Sequence, residues 1–211
     1  MNQKSETVAR LRDLVPLRPL THIEALRVAE LQATRLLRLA GITEPPVPDT
    51  VITTLPRIQV ARVPLGGTQG GTQWSQGRWI ILINGTDVSG RQRFSLFHEF
   101  KHILDNPFID LLYPDQPGSD GEEWSETICE WFAASALMPR SWVKRAFAQQ
   151  RIQSVKELTR LFDVSAKAMR IRLTQLDFIA PVPRCSYRRP AVASNHKEDR
   201  NDYLTAARRA A

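Results

Sequence analysis

The chain has 211 residues, 42% of them hydrophobic and 24% charged, with a formal net charge of +7; this is globular composition with ample material for a buried core. No apolar run approaches the roughly 20 residues that span a bilayer, and the N-terminus leads into no apolar signal core. Two cysteines, Cys129 and Cys185, exclude a disulfide scaffold and an all-cysteine zinc site, so a soluble protein of the reducing cytoplasm, without a membrane partner, is expected. The 29 Lys and Arg are spread along the chain against 22 Asp and Glu. Such basicity permits contact with nucleic acid or an acidic protein, and a solvated basic surface is the plainer reading.

The first predicted element is a helix from Thr21 to Ala40. Thr21 and Glu24 form a capping box, Ile23, Leu26, Ala29, Ala33, Leu36, Leu37 and Ala40 keep helical spacing, and Gly41 is a natural stop. Pro45, Pro46 and Pro48 then break the chain. Ile58 to Val63 reads as a short strand. The run Gly66-Gly67-Thr68-Gln69-Gly70-Gly71 lacks the Lys-Ser/Thr ending of a phosphate-binding loop and opens no helix, so it reads as a flexible loop. Trp79 to Asn84 is a continuous apolar strand, with Trp74 starting a hairpin partner and Gln76-Gly77 as the turn. Helices are predicted over Arg91–Leu104, stopping before Asn106-Pro107, and over Glu122–Leu137, with a polar loop from Tyr113 to Gly121 between them. A further helix starts near Ser141. Two short helices, Ser154–Phe162 (opened by a Ser154–Glu157 capping box) and Ser165–Leu176, follow. The tail from Pro181 is rich in Pro and Arg, and Tyr203-Leu204 could seed a terminal helix.

The chemistry is concentrated in His98-Glu99-Phe100-Lys101-His102. On a helix, His98 and His102 project from one face a turn apart, which suits two nitrogen ligands on one Zn²⁺. Glu99, beside the first ligand, is placed to handle the proton of an attacking water. Two surface histidines on an amphipathic helix would be the bland alternative. Phe94, Phe97, Phe100, Ile103 and Leu104 argue for a buried helix instead. A third ligand is needed, and Glu126 and Glu130 lie a turn apart on the next apolar helix; one can bind the metal while the other fixes a histidine.

These segments resemble the ImmA/IrrE family of zinc metallopeptidases, which are HExxH and gluzincin-like. Arg91 to Leu104 is similar to that family's active-site helix. Glu126-Thr127-Ile128-Cys129-Glu130-Trp131-Phe132-Ala133-Ala134-Ser135-Ala136-Leu137-Met138-Pro139 is similar to its second signature. The resemblance covers about residues 75 to 180. It implies Zn²⁺ held by His98, His102 and Glu126, with Glu99 as general base and then acid. Glu130 stands where the family usually has Asn, and either orients a histidine or competes with Glu126. Lys101 replaces the family's usual small residue, and Cys129 reads as a packed core residue. The strand Trp79–Asn84, through Ile81, Ile83 and Asn84, is expected to pair with an extended substrate, as in similar zinc peptidases. Tyr113 and the arginines are candidate oxyanion donors.

The implied fold is α+β and mostly helical: a zincin-like metallopeptidase core with a small antiparallel sheet and a C-terminal helix-turn-helix-like pair. The segments are an N-terminal helical stretch (1–50), the core (51–150), the helical pair (151–180) and a basic, flexible tail (181–211). The family commonly acts in the cytoplasm on DNA-binding repressors, which makes a repressor the expected protein substrate. The polar, basic start of the second helix of the pair, from Ser165 to Arg170, also fits a DNA reader. Paired helices of this kind are equally common in cores that never touch DNA. The rival functional class is a transcription regulator or repressor-binding module with an inactive metal site.

Overall fold

The computed structural model describes residues 6–66, 70–113 and 121–179, except the side chain of Glu122. The tail from Pro181 with Cys185 and Tyr203-Leu204, residues 114–120 of the predicted polar loop, and the centre of the glycine-rich run lie outside the described residues. The described residues belong to one compact unit.

A short helix, α1 (Thr7–Arg12), precedes α2 (His22–Ala40) and was not predicted. The α2 start has both halves of its capping box. Glu24 N donates to Thr21 Oγ1 (3.3 Å) and Thr21 N to Glu24 Oε2 (2.9 Å). Gly41 ends the helix at φ 70°, a conformation that glycine adopts without a Cβ penalty. One turn of helix, α3 (Thr50–Thr53), leads to β1 (Ile58–Val63). The hairpin β2 (Gly70–Ser75) and β3 (Arg78–Asn84) turns at Gln76 and Gly77, both at positive φ (49° and 76°), as a two-residue hairpin turn requires.

The strand order is β1-β3-β2, and the sheet is mixed where an antiparallel one was expected. β2 pairs antiparallel to β3, while β1 pairs parallel to it, from Ile58 opposite Trp79 to Val63 opposite Asn84. The physical reason is topological. The chain reverses twice between β1 and β3, so they run the same way, and β3 enters between β1 and β2. Ile81 and Ile83, alternate residues of β3, are buried in the core.

Next come α4 (Ser89–Asp105), a 3₁₀ turn (Asn106–Phe108), α5 (Ile109–Leu112) and α6 (Gly121–Leu137). The sheet packs on α4, and α4 and α2 pack on α6. Leu96, Phe97, Phe100, Ile103 and Leu104 of α4 meet Ile128, Phe132 and Leu137 of α6 in one core, with the rings of Phe100 and Phe132 6.2 Å apart. Within that core Lys101 is 0% exposed and forms a buried ion pair with Asp105, one turn further along α4. The other oxygen of Asp105 accepts from the Tyr113 hydroxyl. Lys101 therefore occupies its position by pairing, where a small residue would pack closely.

After α7 (Arg140–Lys144) and a turn of π-helix (Arg145–Gln149), the chain forms α8 (Val155–Phe162) and α9 (Ala166–Gln175). Ser165 caps α9 by accepting from Ala168 N (3.1 Å), whereas the Ser154 side chain makes no capping bond to α8. The turn between them is clamped to the core. Arg93 of α4 donates to the carboxylate and carbonyl of Asp163 and to the Val47 carbonyl. Buried Arg172 of α9 donates to Met138 O at 3.0 Å.

Asp105→Leu leaves the Lys101 ammonium buried and unpaired, and is expected to cost about 3–5 kcal/mol of stability. Lys101→Met combined with Asp105→Leu should lie within about 2 kcal/mol of the parent, because a buried pair contributes little beyond an apolar replacement. Urea unfolding of the four proteins in this cycle measures both effects.

Candidate active site

The 3.6-residue period of α4 carries Phe97, Phe100 and Leu104 into the core and turns His98 and His102 toward a cavity of about 720 Å³. α6 approaches from the other side with Glu126. The two Nε2 atoms stand 3.1 Å apart. His98 Nε2 is 3.2 Å from Glu126 Oε2, and His102 Nε2 is 3.4 Å from Glu126 Oε1. The donor atoms of these three residues all lie within 4.8 Å of one another, so they could hold a metal ion. Donors about 2.1 Å from a tetrahedral ion are separated by about 3.4 Å, so two imidazole nitrogens and a carboxylate at these spacings fit one small cation. The Glu126 side chain is 54% exposed, which leaves the approach to that point open.

Burial, and for His98 also the neighbouring His102, lowers the histidine pKa values, that of His98 to about 4. Both rings are therefore neutral at pH 7, the form that binds a metal. Glu99 is buried at the back of the same cavity. Burial, and then the charge of Glu126, push its carboxyl up to about 7.

Glu99 leans on β2. A Cβ on Gly70 would stand 2.8 Å from Glu99 Oε1 and 3.0 Å from the Leu82 carbonyl. Gly70 is thus a close approach of strand to carboxylate, and Gly70, Gly71 and Thr72 line the cavity. The end of the glycine-rich run is consequently strand and cavity wall, not loop. A run of glycines just before a hairpin was the available signal. Ser95 and Ile109 are further lining residues that the sequence did not single out, and Phe94, expected among the apolar residues of the helix, lines the cavity as well.

Other predicted residues fall elsewhere. Ile81 and Ile83 are core residues, and Asn84 Oδ1 accepts from the Thr86 backbone N (3.2 Å) and hydroxyl (2.8 Å). β3 has a neighbour on each side, so its backbone cannot pair with a substrate. Among the described residues, the strand with an open edge beside the cavity is β2. Tyr113 does not line the cavity; its hydroxyl is taken up by Asp105 and by the Ser125 side chain. No arginine lines the cavity among the described residues. Glu130 is exposed on the cavity wall, one turn from Glu126. The group facing His102 Nδ1 is instead the thiol of Cys129, at 3.5 Å. Burial keeps that thiol protonated and uncharged; its sulfur can accept from Nδ1–H, which leaves the His102 Nε2 lone pair for a metal.

Two histidines and an adjacent glutamate on α4 and a carboxylate on α6, beside a small sheet, are a set that could hold a metal ion. The Peptidase_M78 family, the IrrE N-terminal-like domain, matches residues 56–174, and the chain belongs to that family; at family level it is a metallopeptidase. The chain is similar to the radiation response metalloprotease IrrE of Deinococcus deserti, with 32% identity over 52% of this chain and 40% of the relative. To the protein of the same name from Deinococcus radiodurans it is 28% identical, over 76% of this chain and 49% of the relative. The chain thus spans half or less of the length of the relatives it matches. Among solved structures, a Mycobacterium tuberculosis transcriptional regulator superposes with a TM-score of 0.59 at 16% identity, over 80% of this chain and 51% of that one, a likeness of fold alone. No helix among the described residues is long and apolar enough to cross a membrane.

Glu126→Gln is expected to weaken divalent-metal affinity by at least about 100-fold, and Cys129→Ala by about 10-fold, the scale of losing a group that orients a ligand. Glu130→Gln, at an exposed position, should stay within about threefold of the parent. Competition with a chromophoric chelator ranks the three; a larger loss for Glu130→Gln than for Glu126→Gln would exchange their roles.

Proposed function

We propose that the protein is a zinc-dependent endopeptidase that cleaves or inactivates a DNA-binding repressor, and so derepresses mobile-element or stress genes in the cytoplasm. The observation that carries this reading is the convergence of His98, His102 and Glu126 around one point, with Glu99 buried beside it in an open cavity. A set of two imidazoles and one carboxylate is the donor chemistry of catalytic zinc, which supplies a Lewis acid for polarising a carbonyl and acidifying water.

Each residue has a part. His98 and His102 present neutral nitrogens, and Glu126 adds charge while leaving the cavity side accessible. Cys129 holds His102 in one tautomer by bonding its far nitrogen. Glu99 takes a proton from the attacking water as its oxygen bonds to the scissile carbonyl carbon. It then delivers that proton to the amine nitrogen as the C–N bond breaks. An extended substrate segment adds to the open edge of β2, past Thr72, by backbone hydrogen bonds. The peptidase activity is supported by the family match and the metalloprotease names of the relatives; the repressor as substrate rests on the family resemblance of the two sequence segments alone.

Glu99→Gln keeps the size of the side chain but removes the base, so cleavage is expected to fall by at least about 10²-fold. Metal content and binding of the partner repressor should persist, and derepression in a cell reporter should fall with cleavage. A Glu99→Gln protein that derepresses as well as the parent would show that binding alone carries the function, and a regulator would replace the peptidase.

A further inference from the structure

The proposed reaction gives α9 no role, yet its first two turns adjoin the reaction cavity. Lys167, Ala168 and Ile171 line a second cavity of about 170 Å³, whose opposite wall is Phe94 of α4 with Glu130 and Ala134 of α6. Phe94 and Glu130 line the metal cavity as well. The continuity follows from helix geometry. Arg91, Phe94 and His98 share one face of α4, and Glu126, Glu130 and Ala134 share one face of α6, so the two faces that frame the metal site run on directly to α9.

We propose that this second cavity is a substrate subsite, taking one apolar side chain of leucine, methionine or phenylalanine size from the peptide being cleaved. The inference rests on the peptidase reading and adds a specificity determinant to it. Size supports it: a cavity of about 150 Å³ holds a benzene ring, so this one accommodates one medium side chain. Its lining supports it too, since Ile171 is 47% exposed, its apolar surface uncovered by any of the described residues. Arg91 and Lys167 at the rim outnumber Glu130, which favours an acidic residue next to the apolar one.

Position sets the register. Glu130 and Ala134 lie four and eight residues beyond Glu126, about 6 to 12 Å along the helix. An extended peptide advances about 3.3 Å per residue, so the subsite reads a residue two to four positions from the cleaved bond.

The same contacts argue against a DNA-reading role for α9. A Cβ on Gly90 of α4 would lie 3.2 Å from Ser165 N and 3.3 Å from Val164 C, so the α8–α9 turn sits directly on the core. Arg172 fixes the middle of α9 to the end of α6. Lys167, Ala168 and Ile171 of α9 thereby form part of a groove wall.

The test is a cleavage profile. The full-length zinc-loaded protein is incubated with a proteome-derived peptide library, and the cut bonds are read by mass spectrometry. The parent should show at least about threefold enrichment of Leu, Met and Phe at a single position two to four residues from the cut. Ile171→Glu, at an exposed position, should keep its metal content and melting temperature while losing that enrichment and accepting Lys or Arg there. Ala168→Leu, which fills the cavity, should shift the preference to smaller residues. A parent that cleaves without this preference, or a profile that Ile171→Glu leaves unchanged, overturns the subsite and leaves the peptidase reading intact. A metal-loaded parent that cuts no peptide and no repressor overturns both. Binding of a random-sequence DNA duplex that Ile171→Glu abolishes would also overturn the subsite, because α9 would then be a DNA face.

Discussion

Two imidazole nitrogens 3.1 Å apart, each within 3.4 Å of a carboxylate oxygen, do not come together through any attraction of their own. They are held by the packing of α4 on α6, where Phe97, Phe100 and Ile103 interlock with Ile128 and Phe132 and leave the polar faces of both helices turned the same way. Every feature of the candidate active site follows from that clasp. It sets the spacing of the three donors, the burial that keeps the histidines neutral, and the depth at which Glu99 sits. Protein interiors are close-packed, so the polar face has little freedom to drift while the apolar face stays engaged.

A second, polar layer lies behind the clasp. Lys101, Asp105, Tyr113 and Ser125 form a chain of buried contacts from α4 through the end of α5 to the residue before Glu126. Each member satisfies another, which is the condition for tolerating ionised groups in an apolar interior. The chain also links the helix of the two histidines to the helix of the carboxylate by directional bonds, which packing alone does not provide. On the opposite side of α4, Gly70 brings the backbone of β2 against Glu99, so sheet and helix meet at that buried carboxylate.

The C-terminal pair belongs to the same construction. Arg93 reaches from α4 to the α8–α9 turn, and Arg172 reaches from α9 back to the end of α6. These contacts extend the α4–α6 groove past the two histidines, so a pair of helices with the rhythm of a DNA-binding motif becomes part of a cleft. A motif's sequence pattern records its own packing and not what its outer face meets.

Local interactions were legible in the sequence. The capping box of α2, its glycine stop, the Gln76-Gly77 turn and the spacing of His98, Glu99 and His102 are decided by neighbours within a few residues, and the structure has them at those positions. The pairing of Glu126 with the histidines was also legible, though only through the resemblance of two separated segments. Non-local geometry was not. Nothing near Trp79–Asn84 says that β1 will take up its other edge, so its backbone was assigned to a substrate when it was already paired. Nothing near Cys129 says that its thiol will stand 3.5 Å from His102 Nδ1, and nothing near Lys101 says that it will be buried. The sequence alone therefore determined the longer helices, the hairpin turn and the residue types of the candidate site, because these depend on period and propensity. Only the tertiary structure decided strand order, the partner of each buried polar group and the groove that α9 completes, because those depend on which distant surfaces the core brings into contact.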